Sequence, residues 1–224
     1  MRRVVWPEQR SLSETPRALP ALGSLAPSSS LQTIRFMSYN IHHAQGIDGE
    51  VDLNRIAAVL NAARPDVVLL TEVDTFWRRS GFQDQARMLA QALGVPYAIA
   101  VDTLVRRNPY DAGWGGVARY GLALLSRYPV TAARATPLPV SLGQEPRAAL
   151  TADIQFREGV DVRVIGVHLG LSQEDRLEQV DTLLSLTREW DSHRVLMGDF
   201  NAVLDSPELQ LLLGGANELP PPPE

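Results

Sequence analysis

Four short apolar runs in this chain each stop on a side chain able to bind a cation or carry a proton. Ile34–Asn40 closes on Asn40, Val67–Glu72 on Glu72, Val162–His168 on His168, and Val195–Asn201 on Asp199 and Asn201. Runs this short, bounded by turn-forming residues, read as buried strands. Strand side chains alternate between two faces. Asp199 and Asn201 therefore share a face, with Val195 and Met197 behind them. His168 shares a face with Val162, Val164 and Gly166, and Glu72 with Val68 and Leu70. If these strands are neighbours, one rim gathers a carboxylate pair, two amides and an imidazole.

Between the runs lie helical periods. Asp52 caps a helix through Ala63 with Leu53, Ile56, Ala57 and Leu60 on one side, and Pro65 ends it. Gln83–Leu93 is a second helix, stopped by Gly94. Gln173–Trp190 is a third, with Leu177, Val180, Leu183 and Leu184 in a stripe, and Pro207 opens a fourth through Leu213. Further strands are expected at Ala98–Val101, Tyr120–Ser126, Ala148–Phe156 and Val160–Leu169. Residues 102–118, with Arg106, Arg107, Tyr110 and Trp114, read as a long loop and a candidate substrate rim. Several strands follow one another with no helix between them, which points to a mixed sheet or layered sandwich and not to a regular alternating barrel.

Residues 1–31 read as a disordered Pro/Ser-rich leader, residues 32–213 as the folded domain, and residues 214–224 as a Pro-rich tail. The chain has no cysteine, which excludes disulfides and thiolate metal sites. Its net charge of −5 argues against a broad nucleic-acid footprint, although a local basic rim is compatible with it. No apolar run is long enough to span a bilayer, and the cytoplasm is the expected compartment. The oxygen-rich set Asn40, Glu72 and Asp199 suits Mg²⁺ or Mn²⁺. Beside such an ion, a carboxylate can align or deprotonate a water, and His168 can donate to a phosphoryl oxygen.

These residues carry a resemblance. Ser38-Tyr39-Asn40-Ile41-His42-His43, Pro65-Asp66-Val67-Val68-Leu69-Leu70-Thr71-Glu72-Val73-Asp74 and Tyr120-Gly121-Leu122-Ala123-Leu124-Leu125-Ser126-Arg127-Tyr128-Pro129 come first. Val167-His168-Leu169, followed by Arg176 and Gln179, and Gly198-Asp199-Phe200-Asn201-Ala202 complete the ordered set. Together they resemble the endonuclease/exonuclease/phosphatase superfamily, which includes exonuclease III, deoxyribonuclease I, neutral sphingomyelinases and inositol-phosphate 5-phosphatases. The resemblance implies an α/β fold, a four-layered α/β sandwich of two mixed sheets flanked by helices.

It also implies a divalent-metal-dependent phosphoesterase acting on a nucleic acid, inositol phosphate or lipid headgroup, and a monomer when complete. Glu72 would be the principal metal ligand, with Asn40 nearby on metal or phosphate. Asp199 would orient or activate the water, Asn201 would hold the phosphate, and His168 would contact the phosphate or act as an acid. Arg147 would assist. His42 and His43 can approach the site, but the family does not use them in this way, and they are assigned as structural or rim residues. The family's later Arg-Ile-Asp and Ser-Asp-His segments have no counterpart here. The expectation is thus a domain lacking its last strands. The alternative function is a catalytically impaired homologue with residual metal or phosphate binding.

Overall fold

The helix ends are set by local chemistry. The Asp52 carboxylate accepts the Asn54 N–H at 2.8 Å and starts α1 (Leu53–Ala63), which leaves through left-handed Arg64. Asp84 caps α2 (Gln85–Leu93), two residues later than the expected start at Gln83, and Gly94 closes it. Ser172 caps α3 (Gln173–Arg188), and Pro207 opens α4 (Pro207–Asn217). The last helix continues past the expected end at Leu213. The computed structural model describes residues 33–107, 116–157, 160–189 and 192–217. The expected leader, Tyr110, Trp114, Trp190 and the proline run lie outside the described residues.

Among the described residues, eight strands form two four-stranded sheets. The first holds β1 (Phe36–Asn40), β2 (Val67–Thr75), β3 (Tyr97–Arg107) and β4 (Val117–Ser126) in the order β1-β2-β4-β3. The second holds β5 (Val130–Leu138), β6 (Arg147–Arg157), β7 (Val160–His168) and β8 (His193–Asp199) in sequence order. Each sheet has one parallel pair, β1 with β2 and β7 with β8, and every other pairing is antiparallel. α1 makes the crossover in the first parallel pair and α3 in the second.

Three apolar clusters separate four layers. Leu53, Ala57, Leu60, Leu89 and Leu93 of α1 and α2 pack on Val68, Leu70 and Val73 of the first sheet. Val67, Leu69, Leu122 and Leu124 face Leu150, Ile154, Val162, Val164 and Met197 between the sheets. Val180, Leu183, Leu184, Leu209 and Leu212 of α3 and α4 cover Ile165 and Val167 of the second sheet. This is the four-layered sandwich of two mixed sheets that was expected. The two sheets approach so closely at Gly166 that a Cβ there would stand 2.4 Å from Leu69 Cδ1.

Three local expectations are corrected. Residues 102–107 and 117–118 belong to the antiparallel pair β3–β4, not to a long loop. Their polar, arginine-rich sequence fits because the far end of β3 is exposed. β5 was not anticipated: it is an edge strand of mostly exposed or half-exposed residues that tolerates Pro137. Leu177 of α3 is exposed, and Gln179 is buried instead. Its side chain accepts the Gly170 N–H at 2.8 Å and donates to the Pro139 carbonyl at 2.8 Å, holding the turn that follows β7. Among the described residues, no helix is long and apolar enough to cross a membrane.

Candidate active site

In open α/β sheets, functional groups gather beyond the carboxyl ends of parallel strands. Both parallel pairs of this fold place polar residues there. Asn40 ends β1, and His168 and Asp199 end β7 and β8, where they are direct register partners. Gly198, with φ of 153°, permits that approach, since a Cβ there would lie 2.1 Å from the Val167 carbonyl oxygen.

Glu72 arrives differently. Simple alternation places it with Val68 and Leu70, which pack under the helices. Instead a β-bulge falls between Thr71 and Val73, and Glu72 takes φ of 60°. The extra residue reverses the phase, so Val73 fills the helix-side core and Glu72 swings toward Asn40. On the β4 strand opposite stands Gly121, where a Cβ would meet the Val101 carbonyl oxygen at 2.0 Å. The expected shared face of Glu72, Val68 and Leu70 is thus corrected by the bulge.

Asn40 joins the two sheets. Its Nδ2 donates to Glu72 Oε1 at 2.8 Å and to Asp199 Oδ2 at 3.0 Å, and its Oδ1 accepts the His42 N–H at 3.0 Å. Asp199 Oδ1 accepts the Asn201 N–H at 3.0 Å. Burial alone would disfavour the Asp199 carboxylate, but the donors Asn40 and Asn201, with His168 and Arg147 nearby, outweigh it and hold its pKa low. His168 is buried, with Nε2 3.9 Å from Asp199 Oδ2. Burial, then the positive charge of Arg147, lower its pKa and keep the imidazole neutral near pH 7.

Asn40, Glu72, His168 and Asp199 therefore meet at one end of the sandwich. Asn201 sits beside them in a left-handed conformation (φ 49°), but its side-chain Nδ2 donates to the Leu169 carbonyl at 2.8 Å. Arg147 is buried at the start of β6 and paired with Glu145, and its Nε has no hydrogen-bond partner. Tyr120 is buried close by, and burial, followed by the charges of Glu145 and Glu72, raises its pKa.

Two features extend the reading of the sequence. Asp74 is fully buried and accepts from Arg79 Nε at 2.8 Å, Arg79 Nη2 at 2.7 Å and Ser80 Oγ at 2.9 Å. Its N–H donates to Gln85 Oε1 at 2.9 Å, and Gln85 Nε2 donates to the His43 carbonyl at 2.7 Å. Arg79 in turn lies over the rings of Trp77 and Tyr120, at 4.9 and 5.4 Å. The spacing Glu72-Val73-Asp74 was visible, but nothing in the sequence marked Arg79 or Gln85 as its partners. The second feature is the turn after β1. His42, His43 and Ala44 all have positive φ, and ligand-capable atoms of His42, His43 and Glu72 lie within 4.8 Å of one another.

The donor chemistry fits a dication. Asn40 occupies one Glu72 oxygen and leaves the other, and Asp199 is held ionised beside it.

Comparisons with known proteins bear on the family and the fold. The family model for the Endonuclease/Exonuclease/phosphatase family matches residues 37–223. No curated protein matches the sequence. Among solved structures, an endonuclease/exonuclease/phosphatase from Beutenbergia cavernae is similar at 30% identity and a TM-score of 0.65, covering 83% of this chain and 53% of that one. This chain thus spans about half the length of that protein. A family protein from Leptotrichia buccalis is similar in fold at 18% identity and a TM-score of 0.61, covering 82% of this chain and 74% of that one. So is the mannosyl-6-phosphatase Bt3783 of Bacteroides thetaiotaomicron, at 17% identity and a TM-score of 0.61, covering 81% and 70%.

Proposed function

Because this chain belongs to the endonuclease/exonuclease/phosphatase family, we propose that it is a divalent-metal-dependent phosphoesterase using in-line attack by water. The observation that carries this reading is Asn40, whose amide holds the carboxylates of Glu72 and Asp199 together across the two sheets with His168 alongside. Placing two carboxylates around one amide is costly unless a cation offsets their repulsion.

Glu72 would hold the ion, and Asn40 fixes the orientation of that carboxylate. When bound, Mg²⁺ or Mn²⁺ neutralises phosphate charge and stabilises the leaving oxygen. Asp199, kept ionised by its two donors, accepts a proton from the attacking water and orients it. His168, buried and neutral, donates a hydrogen bond to a phosphoryl oxygen. The buried guanidinium of Arg147 supplies fixed positive charge toward the same oxygens. Asn201 ties the end of β8 to the turn after β7, which keeps Asp199 and His168 in register and leaves its side-chain oxygen for substrate.

The test is a panel of phosphomonoesters, phosphodiesters and oligonucleotides assayed with Mg²⁺ and with Mn²⁺. Hydrolysis of at least one class is expected, with Glu72→Gln and Asp199→Asn each slowing it by about 10²–10⁴-fold. Absence of metal-dependent turnover on every class, or a Glu72→Gln variant as fast as the parent, refutes the assignment.

A further inference from the structure

We propose that His42, His43 and Glu72 form a second kind of cation site, two imidazoles and one carboxylate, that takes a zinc-class dication in preference to Mg²⁺. The proposal rests on the reading of Glu72 as a cation ligand and extends it to a nitrogen-rich set beside it.

The geometry comes first. One ligand-capable atom from each residue falls within 4.8 Å of the other two. Zinc makes bonds of about 2.0–2.2 Å with imidazole and carboxylate, so the three side chains must close slightly around an ion. The two rings stand 4.5 Å apart and tilted by 55°.

Each ligand is prepared by its surroundings. His42 Nδ1 lies 3.3 Å from the Gln45 carbonyl oxygen, an acceptor, so Nδ1 carries the proton and Nε2 keeps its lone pair. A carbonyl behind a ring nitrogen is the usual outer support of a metal-bound histidine. His43 is 8% exposed, and its Nδ1 is buried without a hydrogen-bond partner. A buried ring nitrogen left unpaired is uncommon and calls for a partner. Glu72 has one oxygen on Asn40 and the other free.

The backbone holds the set at a cost. His42, His43 and Ala44 have φ of 45°, 43° and 66°. A left-handed non-glycine residue is disfavoured, and Glu72 adds a fourth such position. Gln85 grips the His43 carbonyl and Asn40 grips the His42 N–H, so this conformation is imposed from outside the turn. Donor type then decides the ion. Imidazole suits zinc-class metals, whereas Mg²⁺ prefers all-oxygen surroundings and retains its waters.

The experiment uses Co²⁺ as a spectroscopic stand-in and Zn²⁺ as competitor, on the full chain and on His42→Ala, His43→Gln and Glu72→Gln. His42 is exposed, so its variant should fold normally, as circular dichroism will check. The parent is expected to bind one Co²⁺ with visible bands of nitrogen ligation, displaced by equimolar Zn²⁺ but not by a large excess of Mg²⁺. His42→Ala should weaken Co²⁺ binding by at least about tenfold, the low end of the loss seen even for outer partners of a metal site. Co²⁺ binding unaffected by His42→Ala, or displaced by Mg²⁺ at equal concentration, overturns the proposal. Histidine-dependent Co²⁺ binding without phosphoester hydrolysis would sustain it while refuting the proposed function. Glu72-dependent hydrolysis with histidine-independent Co²⁺ binding would do the reverse.

Discussion

Replacing Asn40 by alanine removes the two N–H donors that reach Glu72 Oε1 at 2.8 Å and Asp199 Oδ2 at 3.0 Å. A hydrogen bond to an ionised acceptor contributes about 1.5–3 kcal/mol net. The Asp199 side chain is 28% exposed, so solvent screens part of each bond and the low end applies. Two such bonds give an expected loss of about 3 kcal/mol in unfolding free energy. That is a large fraction of the about 5–15 kcal/mol typical of a domain. The freed carboxylates also repel, which acts in the same direction.

The pH dependence follows from the sign of the Asp199 shift. Its folded pKa lies below the ordinary aspartate value. The associated stabilisation is therefore full above about pH 3.9 and is lost as pH falls through the depressed folded value. The Asn40→Ala penalty should be greatest at neutral pH and fade in acid, and added Mg²⁺ should recover part of it. Urea unfolding of both proteins, from pH 7 to about pH 3, measures this. A penalty within about 0.5 kcal/mol of zero at neutral pH, as for an ordinary surface change, or one that grows in acid, would refute the bridging role.

Three other outcomes are expected. The unfolded chain takes up protons on His168 and His43 near pH 6.5, whereas burial, aided by Arg147 and Arg79 respectively, depresses both in the fold. Stability should thus decline as pH drops through about 6.5, and His168→Gln should flatten that limb of the unfolding curve. Gly166→Ala should destabilise by about 1–3 kcal/mol through overpacking against Leu69. In a thermal-melt double-mutant cycle, Leu69→Ala should relieve part of that penalty. Asp74→Ala should cost about 3 kcal/mol, the low end for breaking a buried ion pair, because Arg79 is partly exposed and can rehydrate; calorimetry will measure it.

The layered architecture was legible because its information is local. Leu53, Ala57 and Leu60 recur at helical spacing, and Val67–Leu70 is an uninterrupted apolar run, so each element's type follows from its own residues. β5 was invisible for the same reason. An edge strand with one face in solvent needs no apolar pattern, and Val130–Leu138 has little of one. The grouping of Asn40, Glu72, His168 and Asp199 could be anticipated from strand ends, but the route taken by Glu72 could not. A bulge depends on a mismatch with the partner strand, and neither Thr71-Glu72-Val73 nor Gly121 announces it alone. Likewise, the tie from Asp74 through Gln85 to His43 spans residues whose proximity arises only from packing.

The two sheets are also the two halves of the chain: β1–β4 lie within residues 36–126 and β5–β8 within residues 130–199. Asn40 meets Asp199 across a separation of 159 residues. Contacts so distant in sequence form after local ones, because the chain entropy of closing so long a loop opposes them until each half is organised. The cleft is thus expected to be among the last features assembled during folding and among the first lost when the halves part. A cation held by Glu72 feels the charge of Asp199 only once the halves meet, so it should act as a latch, slowing unfolding while leaving the rate of folding nearly unchanged.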